Sequence, residues 1–336
     1  MNDHDEIKLL VNGKELKNYL SYNVAQNIYE AESTFSFKTH LDSDLSKTVK
    51  TGDLCKIVVN SVDVFNGIID SAPINYSNDG VVRDIQGRDL MGLVVDQYVQ
   101  SWKTFKNKTL SEIAIELLRE VPIVSKQAIS FENGVESLNI VGDDINPEPG
   151  QTVFEVLNNI AFSRGVVFYI RNDGTFVFSK PIKTQKKSYS FIVKKGERTY
   201  ANKSKIISAG YANDSREHYR NIIVVDNSKS SKKATSFVDE TAPTNKTLVV
   251  LRNDGTSIEE TGKNIINQQR FNAKGIRYTV SGHSQNREVF LPGKTASIKD
   301  DLLLANDSYV LYGVTYRLDK QTGITSELLF SIPAEN

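Results

Sequence analysis

The four histidines are the first residues to test for metal or acid–base chemistry. They lie far apart in the chain, as His4, His40, His218 and His283. Zinc sites place pairs of ligands roughly two to five residues apart. No histidine here has another histidine, or the single cysteine Cys55, at such a spacing. The sequence therefore predicts no zinc site.

Two acidic groupings are the next candidates for chemistry. Asp143-Asp144 precede the loop 147–150, of sequence Pro-Glu-Pro-Gly, and could act as paired catalytic carboxylates or bind calcium. Adjacent carboxylates before such a loop more often shape a turn, and we prefer that interpretation. His40 with Asp42 and Asp44 could form an acid–base group, but His40 ends a predicted strand and is interpreted as a polar rim residue.

An aromatic grouping allows two interpretations. Trp102 with Tyr98 and Phe105 could form a sugar-binding platform, or could pack at a junction between domains, which we prefer. Cys55 lies in the apolar run 54–59, where a small buried side chain is expected. Because the chain also lacks a nucleophile elbow and a phosphate-binding loop, we predict no catalytic, cofactor-binding or metal residues and no cofactor.

Composition narrows the class of protein. The 336 residues include 41 basic and 41 acidic side chains, so the formal net charge is zero and stable nucleic-acid binding is disfavoured. The acidic N-terminus does not read as a signal peptide, and no apolar run approaches the roughly 20 residues that cross a bilayer. We expect synthesis in a cytoplasm with no sequence-coded exit and no membrane insertion.

Strand patterns dominate residues 1–100, which we assign to a first small antiparallel β-barrel or sandwich domain. Apolar side chains alternate with polar ones, and turns are indicated at Asn12-Gly13 and at 78–80. The predicted strands are 7–11, 34–39, 54–59, 62–65, 67–70 and 81–86.

Residues 101–182 change to helical periodicity and form a predicted mixed α/β domain. Thr109 is placed to cap one helix, and Thr152 with Glu155 forms a capping box for a second helix that ends at Gly165. The turn 172–174, of sequence Asn-Asp-Gly, then predicts a β-hairpin.

Residues 183–336 are assigned to a second β-barrel domain with a helix near 257–274. The lysine-rich stretch 183–205 is interpreted as a solvated loop or exposed strand pair, with a basic lining towards an acidic partner or passing DNA as the alternative. A flexible loop is expected at 228–233. Ser257 with Glu260 forms a third capping box.

The two ends of the chain share a pattern. Gly52 precedes Ile57 by the interval at which Gly293 precedes Ile298. Phe65, Gly67 and Ile68 then correspond in the same way to Leu311, Gly313 and Val314, and each set leads to a turn glycine. Any two meanders could share such a rhythm, but two related barrels are our hypothesis. The predicted fold class is β-rich α+β: two small antiparallel β-barrels, an α/β unit between them, and a further helix in the C-terminal half.

Several motifs occur in an order that resembles a known family. They are Gly52-Asp53, Phe65-Asn66-Gly67-Ile68-Ile69-Asp70, Ile85-Gln86-Gly87-Arg88-Asp89-Leu90, Val94-Val95-Asp96, the helix start at 109–114, the segment 149–157, and Gly165 followed by 172–175. This succession resembles the Mu-like baseplate hub proteins of contractile phage tails, the tail protein P type. That family is related in fold to the hubs of larger phages and to the base of the type VI secretion spike.

The resemblance implies a structural protein rather than an enzyme. It implies a homotrimer whose two barrels per subunit alternate around a ring with a central channel, meeting the tail tube on one face and the central spike on the other. Baseplate wedge components would be further partners, DNA would only pass through, and the location would be the virion tail baseplate, assembled in the host cytoplasm. The segment 300–305 has no counterpart in the first barrel. The alternatives are a tail-associated cell-wall-degrading enzyme and a glycan-binding adhesin.

Overall fold

The structure is a computed structural model of the chain. It describes residues 5–41, 47–78, 80–100, 102–132, 135, 144–181, 186–196, 206–226, 233–252 and 257–334. His4, Asp42, Asp44, Asp79 and Asp143 lie outside these ranges, as do segments 197–205 and 228–232, so the expectations placed on them stay predictions.

Alternating apolar residues form the N-terminal strands. In β1 (Ile7–Val11) the first, third and fifth side chains are buried, as expected for a strand with one face on a core. Asn12 and Gly13 both have positive φ and make the tight turn that follows. The other elements of this region are β2 (Lys14–Leu16), β3 (Tyr19–Asn27), β4 (Thr34–His40), β5 (Leu54–Val59), β6 (Val62–Ser71), β7 (Ile74–Ser77), β8 (Gly80–Asp89) and helix α1 (Met91–Asp96).

Strand β6 differs from the sequence prediction. Residues 62–65 and 67–70 were expected as separate strands, but they form one strand across Gly67. A side chain at Gly67 is excluded by close packing, because a Cβ there would lie 2.1 Å from the carbonyl oxygen of Arg88. The glycine therefore allows a close approach between neighbouring strands rather than a break.

The helices of the middle region begin where their caps predict. The side chains of Thr109 and Thr152 each accept the backbone N–H three residues ahead, and Glu112 and Glu155 accept in return, so both capping boxes are present. The elements are α2 (Leu110–Leu118), a 3₁₀ turn (Val124–Lys126), β9 (Ile129–Phe131), α3 (Val153–Ser163), β10 (Val167–Ile170) and β11 (Phe176–Ser179). Their apolar faces enclose a core of their own.

The C-terminal region contains the third capped helix. Ser257 and Glu260 form its capping box, and the helix runs directly into a strand. The elements are β12 (Lys187–Val193), β13 (Ile206–Asn213), β14 (Asn221–Asp226), β15 (Lys233–Val238), β16 (Thr247–Leu251), α4 (Ile258–Ala273), β17 (Lys274–Ser281), β18 (Ser284–Gln285), β19 (Glu288–Val289), β20 (Thr295–Asp300), β21 (Ala305–Asp319) and β22 (Gly323–Ser331).

Strand β12 corrects part of the expectation for the lysine-rich stretch. Tyr189, Phe191 and Val193 point alternately into the core and are buried, although lysines flank them. Residues 187–193 are therefore a half-buried strand rather than a solvated loop, because alternation decides burial even where the average composition is polar.

The chain is a strand-rich α+β protein with mainly antiparallel pairing. One sheet of 14 strands joins the N- and C-terminal regions through the pair β3–β21. Smaller sheets have the orders β10-β11-β9, β15-β14-β16 and β18-β19. The hydrogen-bonded order of the described strands is open, from β13 to β2. Closure into two barrels and the three-domain division therefore stay predictions.

Candidate functional site

The large sheet contains one arrangement of six strands twice. We call β1, β5, β6 with β7, β8, β4 and β3 the first unit, and β12, β20, β21, β22, β17 and β13 the second unit. In each, hydrogen-bonded neighbours follow the order just given. The units differ in their first strand, since β1 is antiparallel to β5 whereas β12 is parallel to β20.

Two of the register irregularities fall at the same places in both units. The ladder β3–β4 shifts register between Tyr19 and Ser21, and its counterpart β13–β17 shifts between Ile206 and Ser208. A bulge inserts an unpaired residue at one site of one strand. A bulge that recurs at equivalent positions supports a duplication more strongly than a similar spacing of strands does.

A second coincidence fixes the alignment of the hairpin strands. Gly52 and Gly293 both have positive φ, and their N–H groups donate to the carbonyls of Ile69 at 2.8 Å and Leu311 at 2.7 Å. The next register shifts follow directly, between Ile69 and Ser71 in the first unit and between Leu311 and Gly313 in the second.

This alignment corrects the one drawn from the sequence. The equivalence of Gly52 with Gly293 stands, but Leu311 corresponds to Ile69 rather than to Phe65. Gly67 and Gly313 are consequently not equivalent. The glycine match misled because the two have different neighbours: Gly67 faces a backbone carbonyl on β8, whereas Gly313 follows the bulge in β21.

The core pairs of the two units also correspond. Phe37 stands opposite Ile85 in the first unit, and Tyr278 opposite Leu328 in the second. All four side chains are fully buried. The duplicated backbone therefore carries a duplicated apolar interior.

The pair β3–β21 is the joint between the two units. Val24 lies opposite Tyr316 and Gln26 opposite Val314. Val24 and Tyr316 are both fully buried, so the joint is part of the core and not a loose contact.

Beside the joint lies a buried histidine. The Nε2 of His283 is 2.8 Å from the hydroxyl of Tyr22 on β3, and its Nδ1 is 2.8 Å from the hydroxyl of Ser326 on β22. The backbone N–H of His283 donates to the carboxylate of Asp5. Burial lowers the pKa of His283 to about 4. The imidazole is therefore neutral at pH 7 and links the units.

Of the acidic and histidine residues singled out for catalysis, the structure describes His40 and Asp144. His40 is exposed at the end of β4, as a rim residue. Asp144 is half exposed, with Lys106 Nζ at 3.5 Å. Cys55 is buried as expected, and burial raises the pKa of its thiol to about 12.

The aromatic grouping separates. Phe105 is buried in the core of the middle region, while Tyr98 and Trp102 are 59% and 63% exposed. The indole N–H of Trp102 donates to the carbonyl of Val99 at 3.0 Å. Junction packing is thus wrong for two of the three residues, and a three-ring platform is wrong because Phe105 cannot belong to it.

A buried charged cluster was missed by the sequence reasoning. Asp239 is fully buried and accepts hydrogen bonds from Arg270 Nη2 at 2.8 Å and Thr241 Oγ1 at 2.7 Å, with His218 Nε2 at 2.9 Å. Burial would raise the pKa of Asp239, but the hydrogen bonds from Arg270, Thr241 and His218 outweigh it and hold the pKa well below its usual range. The cluster ties the sheet β15-β14-β16 to α4, and no sequence motif signals it.

Two clefts are large enough to hold a small ligand. A polar cleft of about 800 Å³ lies between the two units and the hairpin β10–β11. Its carboxylates have structural partners: Glu132 pairs with Arg171, and Asp89 accepts the N–H groups of Ser33 and Met91. Burial raises the pKa of Asp89 to about 7.

The second cleft is apolar. It has about 680 Å³, lies between α3 and α4, and Glu30 is the sole carboxylate among its described lining residues. A pair of acid–base groups is therefore not available there. In the described ranges no three His, Cys, Asp or Glu side chains are grouped to hold a metal ion. No described helix is long and apolar enough to cross a membrane.

Comparison with known proteins finds a family match for the N-terminal segment. Residues 6–89 match the family described as Mu phage baseplate assembly protein GpP-like, N-terminal. The resemblance expected from the sequence is confirmed for this segment. No curated protein matches the chain.

Solved structures share the fold over nearly the whole chain. The tail protein from Neisseria meningitidis MC58 is 21% identical, with a TM-score of 0.80 over 98% of this chain and 96% of that one. The 43 kDa tail protein of prophage MuSo2 from Shewanella oneidensis is 17% identical, with a TM-score of 0.77 over 98% of both chains. An E. coli component of the type VI secretion system, described as similar to the phage T4 tail proteins gp27 and gp5, is 10% identical, with a TM-score of 0.62 over 98% of this chain and 77% of that one.

Proposed function

We propose that this chain is the structural hub of a contractile phage-tail baseplate, or of a phage-derived particle, and that it joins the tail tube to the central spike. The observation that carries the proposal is the duplicated six-stranded unit, joined edge to edge through β3–β21. The family match over residues 6–89 and the fold shared with phage tail proteins support it.

The duplication suits a symmetry adaptor. A tube with sixfold symmetry and a spike with threefold symmetry present different numbers of equivalent contacts. A homotrimer with two similar units per chain offers six similar surfaces in a closed ring. Closed cyclic symmetry is the usual arrangement of homo-oligomers. In this proposal each unit closes into a small antiparallel barrel, and the ring surrounds a channel.

Differences between the units would supply the threefold contacts. The β5–β6 hairpin turns at Asn60-Ser61, whereas β20–β21 has the longer turn 301–304. At the end of this turn, Leu304 is 90% exposed with a φ of +55°. A feature present once per chain occurs three times in a trimer, as a partner with threefold symmetry requires.

The proposal is mechanical rather than catalytic. Zero formal net charge fits a channel through which DNA passes without being retained. Wedge components of the baseplate would bind the outside of the ring. The protein would be located in the virion baseplate after assembly in the host cytoplasm.

The test uses the purified full-length chain. One chain has a mass of 37.6 kDa, so a trimer has three times that, 112.8 kDa. Sedimentation equilibrium is expected to give the trimer mass, and negative-stain images are expected to show rings. A monomer over a broad range of concentration, or turnover of purified peptidoglycan by the isolated chain, would overturn the proposal.

A further inference from the structure

Among the strand edges that have no hydrogen-bonded neighbour within the described part of the chain, two occupy equivalent places relative to the joint β3–β21. One is the edge of β13 that faces away from β17, and the other is the edge of β6–β7 beyond the stretch paired with β5. Seven of the eight residues of β13 and all four of β7 are exposed. Such edges are templates for pairing with another chain.

The duplication relates these two edges to the joint inside the chain. By the alignment above, β13 of the second unit corresponds to β3 of the first, and β6–β7 corresponds to β21. The joint therefore pairs the outer edge of β3 from the first unit with the edge of β21 from the second unit. Their counterparts, the outer edge of β13 and the edge of β6–β7, have no such partner within the described part of the chain. A second copy would repeat the joint head to tail.

If each residue of the joint is replaced by its equivalent in the other unit, the pairs of the joint predict which residues would pair between two copies. Tyr316 corresponds to Ile74, because each stands five residues after an equivalent bulge position, Leu311 or Ile69. Val24 corresponds to Tyr211 by the register of the equivalent ladders. Val24 pairs with Tyr316 inside the chain, so Tyr211 should pair with Ile74.

Backbone directions agree with this register. In an antiparallel ladder the N–H and C=O of one residue point to the same neighbour, and successive residues alternate. The N–H of Asp84 donates to the carbonyl of Pro73, so Pro73 faces β8 and Ile74 faces away. The N–H of Asp214 donates to the carbonyl of Ala273, so Asp214 faces β17 and Tyr211, three residues earlier, faces away.

Pro73 is therefore no obstacle. Its missing N–H would point towards β8 and not towards the free edge. The groups that remain for a neighbour are those of Ile74 and Tyr76 on one edge and of Ala209 and Tyr211 on the other.

Side-chain exposure supports the same pairs. Val24 and Tyr316 are fully buried at the internal joint, whereas Tyr211 and Ile74 are 41% and 50% exposed. Tyr76 is 87% exposed. Large apolar side chains on a bare strand edge are unusual in a soluble chain, and pairing would cover them.

We propose that β13 of one copy pairs antiparallel with the β6–β7 edge of the next copy, with Tyr211 opposite Ile74 and Ala209 opposite Tyr76. The occupant of each edge is a second copy of this chain, because the chain already contains one joint of this kind between equivalent strands. The inference rests on the proposed function for the ring, and it adds the strands and the register.

A designed disulfide tests the register. Asn75 and Gly210 would stand opposite each other as a non-hydrogen-bonded pair, where Cα atoms are about 4.5 Å apart, within the range that a disulfide spans. A Cβ at Gly210 meets no atom within 4 Å, so Asn75→Cys with Gly210→Cys leaves the monomer fold intact. Cys55 is buried and can remain.

The chain supplies a matched control. Asn23 and Arg317 are the equivalent pair at the internal joint, where Arg317 Nε donates to Asn23 Oδ1 at 3.0 Å. Asn23→Cys with Arg317→Cys should close within one chain. An off-register pair, Asn75→Cys with Ser208→Cys, should give about tenfold less product, because Cα atoms more than about 7 Å apart cannot be bridged.

The outcomes separate this inference from the proposed function. On a non-reducing gel the Asn75/Gly210 variant is expected to give covalent dimers and closed trimers. A trimer by sedimentation without that cross-link, while the internal control closes, overturns the strand pairing alone. Cross-linked products of another number support the pairing and overturn the threefold ring. A monomer without cross-links overturns both.

Discussion

Acidification should weaken the fold through His283, which lies buried beside the joint of the two units. In the unfolded chain an imidazole has its ordinary pKa of about 6.5, whereas burial lowers the pKa of His283 to about 4. Between these values the unfolded state binds a proton that the folded state does not bind. The free energy of unfolding therefore falls as the pH falls through this window.

The size of the effect follows from the two pKa values. At pH 7.5 the imidazole is neutral in both states and contributes almost nothing. At pH 4.5 it is charged in the unfolded chain and mostly neutral in the folded chain, so His283 lowers the free energy of unfolding by about 2.5 kcal/mol.

Asp89 acts in the opposite direction. Burial raises its pKa to about 7, so in acid the folded state binds a proton that the unfolded state does not. This stabilises the fold by about 3 kcal/mol between pH 7.5 and pH 4.5. The pH dependence of the unaltered protein hence includes opposing contributions from His283, Asp89 and other shifted groups, and only a variant isolates that of His283.

The variant is His283→Gln, whose amide can still hydrogen-bond to Tyr22. Urea unfolding at one protein concentration gives the free energy of unfolding for both proteins at pH 7.5 and pH 4.5. Any constant loss from the substitution cancels in the difference, and on lowering the pH the unaltered protein should lose about 2.5 kcal/mol more than the variant. Equal changes in the two proteins would refute a buried neutral imidazole at this position.

Three further substitutions test the fold by chemical denaturation. Gly87→Ala should lower the free energy of unfolding by about 3 kcal/mol through overpacking, because a Cβ there would lie 2.0 Å from a backbone carbonyl oxygen. Gly210→Ala is the control and should change little, because a Cβ at Gly210 meets open space. Equal effects of the two substitutions would contradict the close strand packing at Gly87. Asp239→Ala should cost about 3 kcal/mol, since it removes the fully buried carboxylate that pairs with the largely buried guanidinium of Arg270. A loss below about 1 kcal/mol would show that the cluster is not desolvated. Thr152→Ala should lower the free energy of unfolding by about 1 kcal/mol by removing a helix cap. Thr152→Ser keeps the hydroxyl and should lower it by less; an equal loss for both would contradict a role of the hydroxyl as the cap.

Local signals predicted the elements well. The helix caps predicted at Thr109, Thr152 and Ser257 are all present. They could be predicted because a cap depends on residues three apart and needs no tertiary context. Strand alternation located β1, β5 and β8 for the same reason. The burial of one face of strand β12 was missed, because its lysines mask the alternating Tyr189, Phe191 and Val193.

Contacts between distant residues could not be predicted. Asp239 finds His218 and Arg270 at separations of 21 and 31 residues, and no spacing rule covers such partners. The joint brings Asn23 within hydrogen-bonding distance of Arg317, 294 residues away. The duplication was detectable in the sequence, but its alignment needed backbone hydrogen bonds, because matching glycines by spacing placed Gly313 against the wrong partner.

Joining both units in one chain also changes how such a ring can form. The joint β3–β21 is closed within the chain, so its two edges meet at an effective concentration that can reach the order of millimolar for tethered partners. Half of the joints of the proposed ring would then form during folding, independent of protein concentration. Only the pairing of β13 with the β6–β7 edge would require two chains to meet, so the rate of ring formation would depend on the protein concentration. Until then these partly apolar edges would remain exposed to solvent.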